Sequence, residues 1–178
     1  MIGPRRPLTI AQNSPFKQTA FVVRDLQASA AAFWTHFHMG PWTGWTITPD
    51  VVRDAHYRGE PGQFSFHHPL AWRDGVEFEL VQPIAGDSIF AEHLERHGEG
   101  QHHIGAYVDD IAMAIGQMQE RGFRPVQGAS GFGAEGDGQF CYFETDDPIC
   151  TTVELISPPK VRRPPTFTFD PSQEGAPS

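Results

Sequence analysis

The alternation of apolar and polar positions runs through the same succession twice along this chain. A strand pattern over residues 18–23 is followed by Asp25 and then by apolar residues at helical spacing, and the same order starts at His103 and passes through Asp110. An Asp directly before a helical pattern is typical of an N-cap, because its carboxylate accepts hydrogen bonds from the first turn. Further strand patterns complete each half, and we predict an α+β fold of two paired βαβββ modules.

The same patterns divide the chain into segments. We expect a single domain in which a short helix links the two modules, because a helical pattern between them ends at Gly98. Prolines indicate that both ends are extended or disordered, although Phe167 and Phe169 are apolar enough to anchor the tail on the body or on a partner. The predicted segments are an arm over 1–15, one domain over 16–158 (module one about 16–84, linker helix about 87–98, module two about 101–158) and a proline-rich tail over 159–178.

One polar residue stands in each strand that opens or closes a module. Side chains alternate faces along a strand, so these residues point away from the apolar faces that the helices would cover. They are Gln18, Glu79, His103 and Glu154. If the sheets curl toward each other the four side chains converge, and buried carboxylates then need a cation to neutralise them. We therefore predict one bound divalent ion (Zn, Ni, Co, Mn or Mg), the alternative being that these residues only face solvent.

With these residues the chain resembles the vicinal oxygen chelate (VOC) superfamily over about residues 16–158. That superfamily includes glyoxalase I, methylmalonyl-CoA epimerase, bleomycin-resistance proteins and extradiol dioxygenases. The segment over residues 88–111 resembles the epimerase branch, whereas the Gln/Glu/His/Glu set is similar to that of glyoxalase I, since epimerases usually have His where this chain has Gln18. The resemblance implies a cup-shaped mixed sheet around a metal with these four residues as ligands, and a homodimer.

Such a site favours removal of a proton next to a carbonyl group, because a divalent ion stabilises the negative charge that develops on the oxygen. We expect Glu154 to be the base, with Glu79 opposite it, in an epimerase, isomerase or glyoxalase-type lyase acting on a small oxygen-chelating substrate or its thioester. One alternative is an extradiol-type dioxygenase. Such enzymes bind Fe(II) through two histidines and one carboxylate, whereas only one histidine is well placed here. The other is a non-catalytic, resistance-type binding protein, a group that generally lacks the ligand set.

Aromatic and polar residues near these strands are the candidates for substrate contacts. Tyr107 shares the strand face of the predicted ligands, although a tyrosine lining the cup without a chemical role is also possible. His67 and His68 face opposite sides of their strand, so the candidates there are Phe66 and His68. Two tryptophans in a predicted Gly/Pro loop complete the set as expected pocket residues, Trp42 and Trp45.

The composition of the chain favours a small molecule as its binding partner. A net charge of −9 argues against a nucleic acid or an anionic membrane surface as partner. No stretch of 18 apolar residues predicts a membrane span, and the first residues lack the apolar segment of a signal peptide, which favours a cytoplasmic location. Two cysteines, Cys141 and Cys150, are too few for a disulfide framework.

Overall fold

The computed structural model describes residues 16–170, so the predicted arm over 1–15 and the end of the predicted tail lie outside the described residues. The strands are β1 (Phe16–Val22), β2 (Trp42–Ile47), β3 (Arg53–Tyr57), β4 (Glu60–Pro61), β5 (Ser65–Arg73), β6 (Val76–Ala85), β7 (Gly100–Tyr107), β8 (Arg124–Phe132), β9 (Gly138–Glu144), β10 (Thr152–Ser157) and β11 (Phe167–Phe169). The helices are α1 (Leu26–Phe37), α2 (Ile89–Arg96), α3 (Ile111–Glu120) and α4 (Asp146–Ile149).

All the strands join one mixed sheet whose order is β11-β2-β5-β6-β1-β7-β10-β9-β8-β3-β4. Strands β1 and β7, which open the two modules, pair antiparallel at its centre. Each is flanked by the strand that closes its own module. Strand β6 pairs parallel with β1, and β10 pairs parallel with β7. The order confirms the predicted α+β fold of two βαβββ modules. The β3–β4 hairpin is an insertion of the first module that pairs with β8 of the second.

The capping residues that the sequence indicates begin the two module helices. The Asp25 carboxylate accepts a hydrogen bond from the backbone N–H of Ala28 at 3.0 Å. The Asp110 carboxylate accepts one from Met113 at 2.9 Å, and both caps satisfy N–H groups that have no partner within the helix. Between the modules, Ser88 caps α2 in the same way.

Three apolar clusters fix the curvature of the sheet. One lies under α1 and includes Leu26, Trp42 and Leu80, and a second lies under α3. The third fills one end of the concave side, where α2 inserts Phe90, and the Phe90 ring centroid is 4.9 Å from that of Phe66. Helices therefore cover the outer face of each module, while the space between the modules is left for the polar side chains of the central strands.

The chain after β10 crosses the sheet from the second module to the first. We call residues 158–166 the strap. Its Val161 carbonyl accepts a hydrogen bond from Ala134 N at 2.8 Å, and its Thr166 N donates to the Gly44 carbonyl at 2.8 Å. The following strand, β11, pairs antiparallel with β2, so Phe167 and Phe169 pack against the first module. None of the helices within residues 16–170 is long and apolar enough to cross a membrane.

Candidate metal centre

The four predicted ligands lie on the four central strands, β6, β1, β7 and β10. Each side chain is at most 7% exposed. The strand register is symmetric, because Ala20 of β1 pairs with both Glu79 and His103, while Gly105 of β7 pairs with both Glu154 and Gln18. Equivalent positions of the two modules therefore supply Glu79 and Glu154, and likewise Gln18 and His103.

His103 lies between two carboxylates. Its Nε2 is 3.1 Å from Oε2 of Glu79 and 3.2 Å from Oε2 of Glu154. One ring nitrogen carries at most one proton, so it satisfies only one carboxylate, and Oε2 of Glu154 has no hydrogen-bond partner. Ligand atoms of the three residues lie within 4.8 Å of one another. The cluster has the donor types and the spacing to bind a metal ion, which would neutralise both buried carboxylates.

Gln18 offers a further oxygen beside this cluster. Its Nε2 donates a hydrogen bond to Oε1 of Glu77 at 2.9 Å, which leaves its Oε1 buried and without a partner. An unpaired buried carbonyl oxygen costs about 1–3 kcal/mol, so it fits a site completed by a cation. The side chain lies over Gly105, where the absence of a Cβ makes room for it.

The two carboxylates of the cluster differ in their surroundings. Burial raises the pKa of Glu79, but hydrogen bonds from His103 and His68 outweigh burial and lower it to about 2. Burial raises the pKa of Glu154 above its ordinary value, and His103 offsets this only in part. Burial lowers the pKa of His103, but Glu154 and Glu79 outweigh it and raise that pKa to about 9. Glu79 is therefore the firmly ionised carboxylate, and Glu154 binds a proton more readily.

His102 supports His103 from behind, a contact that strand parity did not reveal. Its Nδ1 lies 2.9 Å from Nδ1 of His103, and its side chain is buried. Burial, together with His103 and His93, lowers the pKa of His102, so it is neutral and can accept a hydrogen bond from His103. That hydrogen bond leaves Nε2 of His103 available as a ligand, as partners of metal-binding histidines commonly do.

A third carboxylate, Glu77, was missed among the candidates. It is buried and accepts hydrogen bonds from Gln18 and from the Tyr107 hydroxyl, each at 2.9 Å. Its Oε2 lies 3.7 Å from Nη2 of Arg162 in the strap. Burial raises the pKa of Glu77. The alternation along β6 contained the signal, since residues 77 and 79 face the same side of that strand.

We call the concave space above the central strands the cup. Its innermost cavity, about 50 Å³ in volume, is lined by the metal-centre carboxylates and by Phe66, His68 and Tyr107. The Nδ1 of His68 is 3.2 Å from Oε1 of Glu79, whereas His67 faces the other side of β5 and contacts Thr46. Three of the five predicted pocket residues therefore lie in the cavity wall.

The other two predicted pocket residues, Trp42 and Trp45, lie outside the innermost cavity. Both residues lie in strand β2, three positions apart, and therefore face opposite sides of the sheet. Trp42 is fully buried in the cluster beneath α1. Trp45 faces the cup side, where its ring lies 6.1 Å from that of His68 and lines an adjoining cavity of about 150 Å³.

Comparison of the sequence and the structure with known proteins assigns the chain to a family and identifies solved structures with a similar fold. The profile of the Glyoxalase/Bleomycin resistance protein/Dioxygenase superfamily matches residues 17–143. No curated protein sequence matches the chain significantly. Among solved structures, methylmalonyl-CoA epimerase from Mycobacterium tuberculosis is similar with a TM-score of 0.63 and 16% identity, covering 88% of this chain and 94% of that one.

Two further structures extend this set. A variant of Streptomyces coelicolor methylmalonyl-CoA epimerase in complex with 2-nitronate-propionyl-CoA has a TM-score of 0.57 and 17% identity, covering 82% of this chain and 97% of its own. A mutant of 4-hydroxymandelate synthase from Streptomyces coelicolor has a TM-score of 0.56 and 16% identity, covering 85% of this chain and 50% of its own. At these identities the similarity shows a shared fold.

Proposed function

The chain belongs to the Glyoxalase/Bleomycin resistance protein/Dioxygenase superfamily, and on that premise we propose that it is a metal-dependent enzyme that removes a proton α to a carbonyl group. The proposed ligands of one divalent ion (Zn, Ni, Co, Mn or Mg) are Gln18, Glu79, His103 and Glu154. The observation that carries the proposal is the buried cluster in which one imidazole nitrogen lies between two carboxylates. The orphaned oxygens of Gln18 and Glu154 support the same assignment.

The bound ion would act as a Lewis acid on neighbouring substrate oxygens, which makes an α proton removable near neutral pH. In this proposal Glu154 is the base. Both oxygens of Glu79 are hydrogen-bonded to histidine nitrogens, of His68 and His103. Glu154 has one histidine contact, 3.2 Å from its Oε2 to Nε2 of His103, and that contact does not have the geometry of a hydrogen bond. Glu79 approaches from the other module, on the opposite face of the substrate, where an epimerase or isomerase returns a proton. Because Glu79 is ionised, that proton would have to reach it from solvent or through the imidazole of His68, which lies 3.2 Å from its Oε1.

The size of the cup favours a small reacting group. A cavity of about 50 Å³ holds only a few water molecules, and it opens toward the larger cavity beside Trp45. Phe66 and His68 would contact the substrate carbon chain, and Tyr107 would donate its hydroxyl proton to a substrate oxygen in place of Glu77. Two of the similar structures are epimerases named for a CoA thioester, so a thioester whose acyl end enters the cup is one candidate substrate.

Metal analysis tests the first half of the proposal. Protein purified without chelator is expected to hold about one divalent ion per chain, and His103→Ala should lose most of it. Glu144→Gln is the matched control, because that glutamate is exposed and pairs with Arg124 at the surface. Equal metal content in His103→Ala and the control would exclude this cluster as the metal site.

Solvent exchange tests the second half. Metal-loaded protein in D₂O is incubated with α-hydroxyketones, hemithioacetals and 2-methyl-branched acyl-CoAs, and deuterium incorporation is followed by NMR. Wild-type protein should exchange the α proton of at least one compound, and Glu154→Gln at saturating metal should reduce that rate by about 10²–10⁴-fold. No exchange in any compound would contradict the reaction class.

One observation favours a second candidate, an extradiol-type dioxygenase. His68 borders Glu79, so the cup contains a second imidazole near the cluster that His103 occupies. Two histidines and a carboxylate are the ligands of Fe(II) oxygenases. Oxygen consumption with catechols in the presence of Fe(II), lost in His68→Ala, would establish this candidate, whereas saturable binding without turnover would establish a binding protein.

A further inference from the structure

The strap brings a positive charge to the wall of the cup. Of the lysines and arginines among residues 16–170, Arg162 alone lines the innermost cavity. Its guanidinium carbon lies 5.1 Å above the ring centroid of Trp45, and Nη2 is 3.7 Å from Oε2 of Glu77. A residue that lies outside the central strands thus faces the same space as the predicted metal ligands.

The backbone on both sides of Arg162 is held in place. The carbonyl of Val161 accepts a hydrogen bond from Ala134 N at 2.8 Å, and the carbonyl of Arg163 accepts one from Trp45 Nε1 at 2.9 Å. The Arg163 side chain donates to the Gly133 carbonyl at 3.1 Å. These contacts bridge the two modules, so the guanidinium is positioned before any ligand arrives.

The hydrogen-bonding capacity of Arg162 is unused within the described chain. A separation of 3.7 Å from Glu77 is longer than a hydrogen bond, and no other acceptor among residues 16–170 reaches the guanidinium. Glu77 already accepts hydrogen bonds from Gln18 and Tyr107. The side chain of Arg162 remains 38% exposed. A guanidinium with free N–H groups, stacked on a tryptophan, is the usual arrangement for binding a carboxylate.

The charges of the cup permit an anionic ligand. Glu77, Glu79 and Glu154 contribute three negative charges, and a divalent ion together with Arg162 balances them. Residues two apart on a strand are about 7 Å apart. Arg162, beside Glu77, therefore lies one such step along β6 from Glu79, at the far end of a substrate four or five carbons long.

We propose that Arg162 binds a carboxylate at the end of the substrate remote from the metal, so that the substrate is a short dicarboxylic acid or an acyl compound that bears a free carboxylate. This inference rests on the proposed function, because the metal binds the other end. The cation–π contact with Trp45 holds the guanidinium plane and leaves its edge for the carboxylate.

Isosteric pairs that differ by one charge provide the test. Calorimetric titration of the metal-loaded full chain compares 2-hydroxyglutarate with its distal monoamide, and malate with its distal monoamide. Wild-type protein should bind the diacid of at least one pair tenfold or more tightly than the amide. Arg162→Met should bring that ratio close to one, and Arg162→Lys should leave an intermediate value. Glu77→Gln, which removes the competing internal carboxylate, should strengthen diacid binding severalfold.

Arg124→Met is the matched control, because that exposed arginine pairs with Glu144 at the surface and lines neither cavity of the cup. It should keep the wild-type ratio. The inference would be overturned by a ratio that is unchanged in Arg162→Met or that is lost equally in Arg124→Met. A ratio near one in wild-type protein for both pairs would overturn it as well. Metal content measured on the same samples reports separately on the proposed function, since protein that binds no metal contradicts that function whatever the ratio.

Discussion

Gly105 occupies the most crowded point of the candidate metal centre. A Cβ added there would lie 2.3 Å from Oε1 of Gln18 and 2.9 Å from Cδ1 of Ile156. Both separations are below any normal contact between heavy atoms, so Gly105→Ala must displace Gln18 or Ile156. Because Gln18 is a proposed ligand, the substitution tests the ligand arrangement without changing a ligand.

The expected magnitude follows from two opposing effects. Alanine is favoured over glycine inside a strand by about 0.5–1 kcal/mol. Overpacking a well-filled core costs about 1–3 kcal/mol. After the gain from alanine is subtracted, the free energy of unfolding should fall by about 0–2.5 kcal/mol. Displacement of Gln18 should also weaken metal binding by about 10–100-fold, the range found when the support of a ligand is lost.

Gly100→Ala is the matched control on the same strand, since a Cβ there meets no atom within 4 Å. It should leave metal affinity unchanged and stability unchanged or slightly raised. Urea denaturation of the metal-free proteins gives the stabilities, and competition with a chromophoric chelator gives the metal affinities. If Gly105→Ala matches Gly100→Ala in both measurements, Gln18 does not lie where the structure places it.

Two further predictions concern groups outside the metal ligands. His102→Gln should weaken metal binding by about 10–100-fold because it disturbs the hydrogen bond to His103. His97→Gln, at an exposed position, should leave metal affinity unchanged. Equal affinities of the two variants in chelator competition would refute the role of His102 in positioning His103. Hydrogen bonds from Arg58 lower the pKa of Glu92 to about 2, so its ion pair stabilises the fold fully above pH about 4.5 and loses its effect as the pH falls toward 2. In urea denaturation, wild-type protein should be more stable than Glu92→Gln by about 1–2 kcal/mol at pH 6, and this difference should shrink steadily between pH 4.5 and 2.5. A difference that stays constant with pH would show that the Arg58–Glu92 ion pair contributes nothing to stability.

The fold and the centre of the site were predictable because both depend on short-range periodicity. An Asp before a helical pattern identifies a cap, and residues of equal parity share a strand face, so the repeat equates Gln18 with His103 and Glu79 with Glu154. The structure places all four on adjacent central strands. Parity needs only the strand assignment, which the apolar pattern gave correctly for the opening and closing strands of each module.

The rest of the site depends on where distant segments pack, which periodicity does not encode. Trp42 was expected in a loop because of nearby Gly and Pro, whereas its stretch forms an inner strand of the sheet. Arg162 lies in the strap, which is held over the cup in part because β11 pairs with β2, a pairing of segments about 120 residues apart. His102 has the opposite parity to His103, yet its ring bends back to contact it. Each of these contacts is set by tertiary packing rather than by local pattern.

The two modules are not fully symmetric at the site, and their difference favours one orientation of a bound substrate. Glu77 pairs with Gln18 in the first module as Thr152 pairs with His103 in the second, so an acidic residue and an uncharged one occupy equivalent positions. The symmetric positions supply the proposed metal ligands and by themselves would accept a substrate in either orientation. Only the side of Glu77 adds Arg162, which the strap brings to that carboxylate. If Arg162 binds a carboxylate as proposed, a substrate with a carboxylate at one end would have a single favourable orientation, and the same face of its α carbon would meet Glu154 each time.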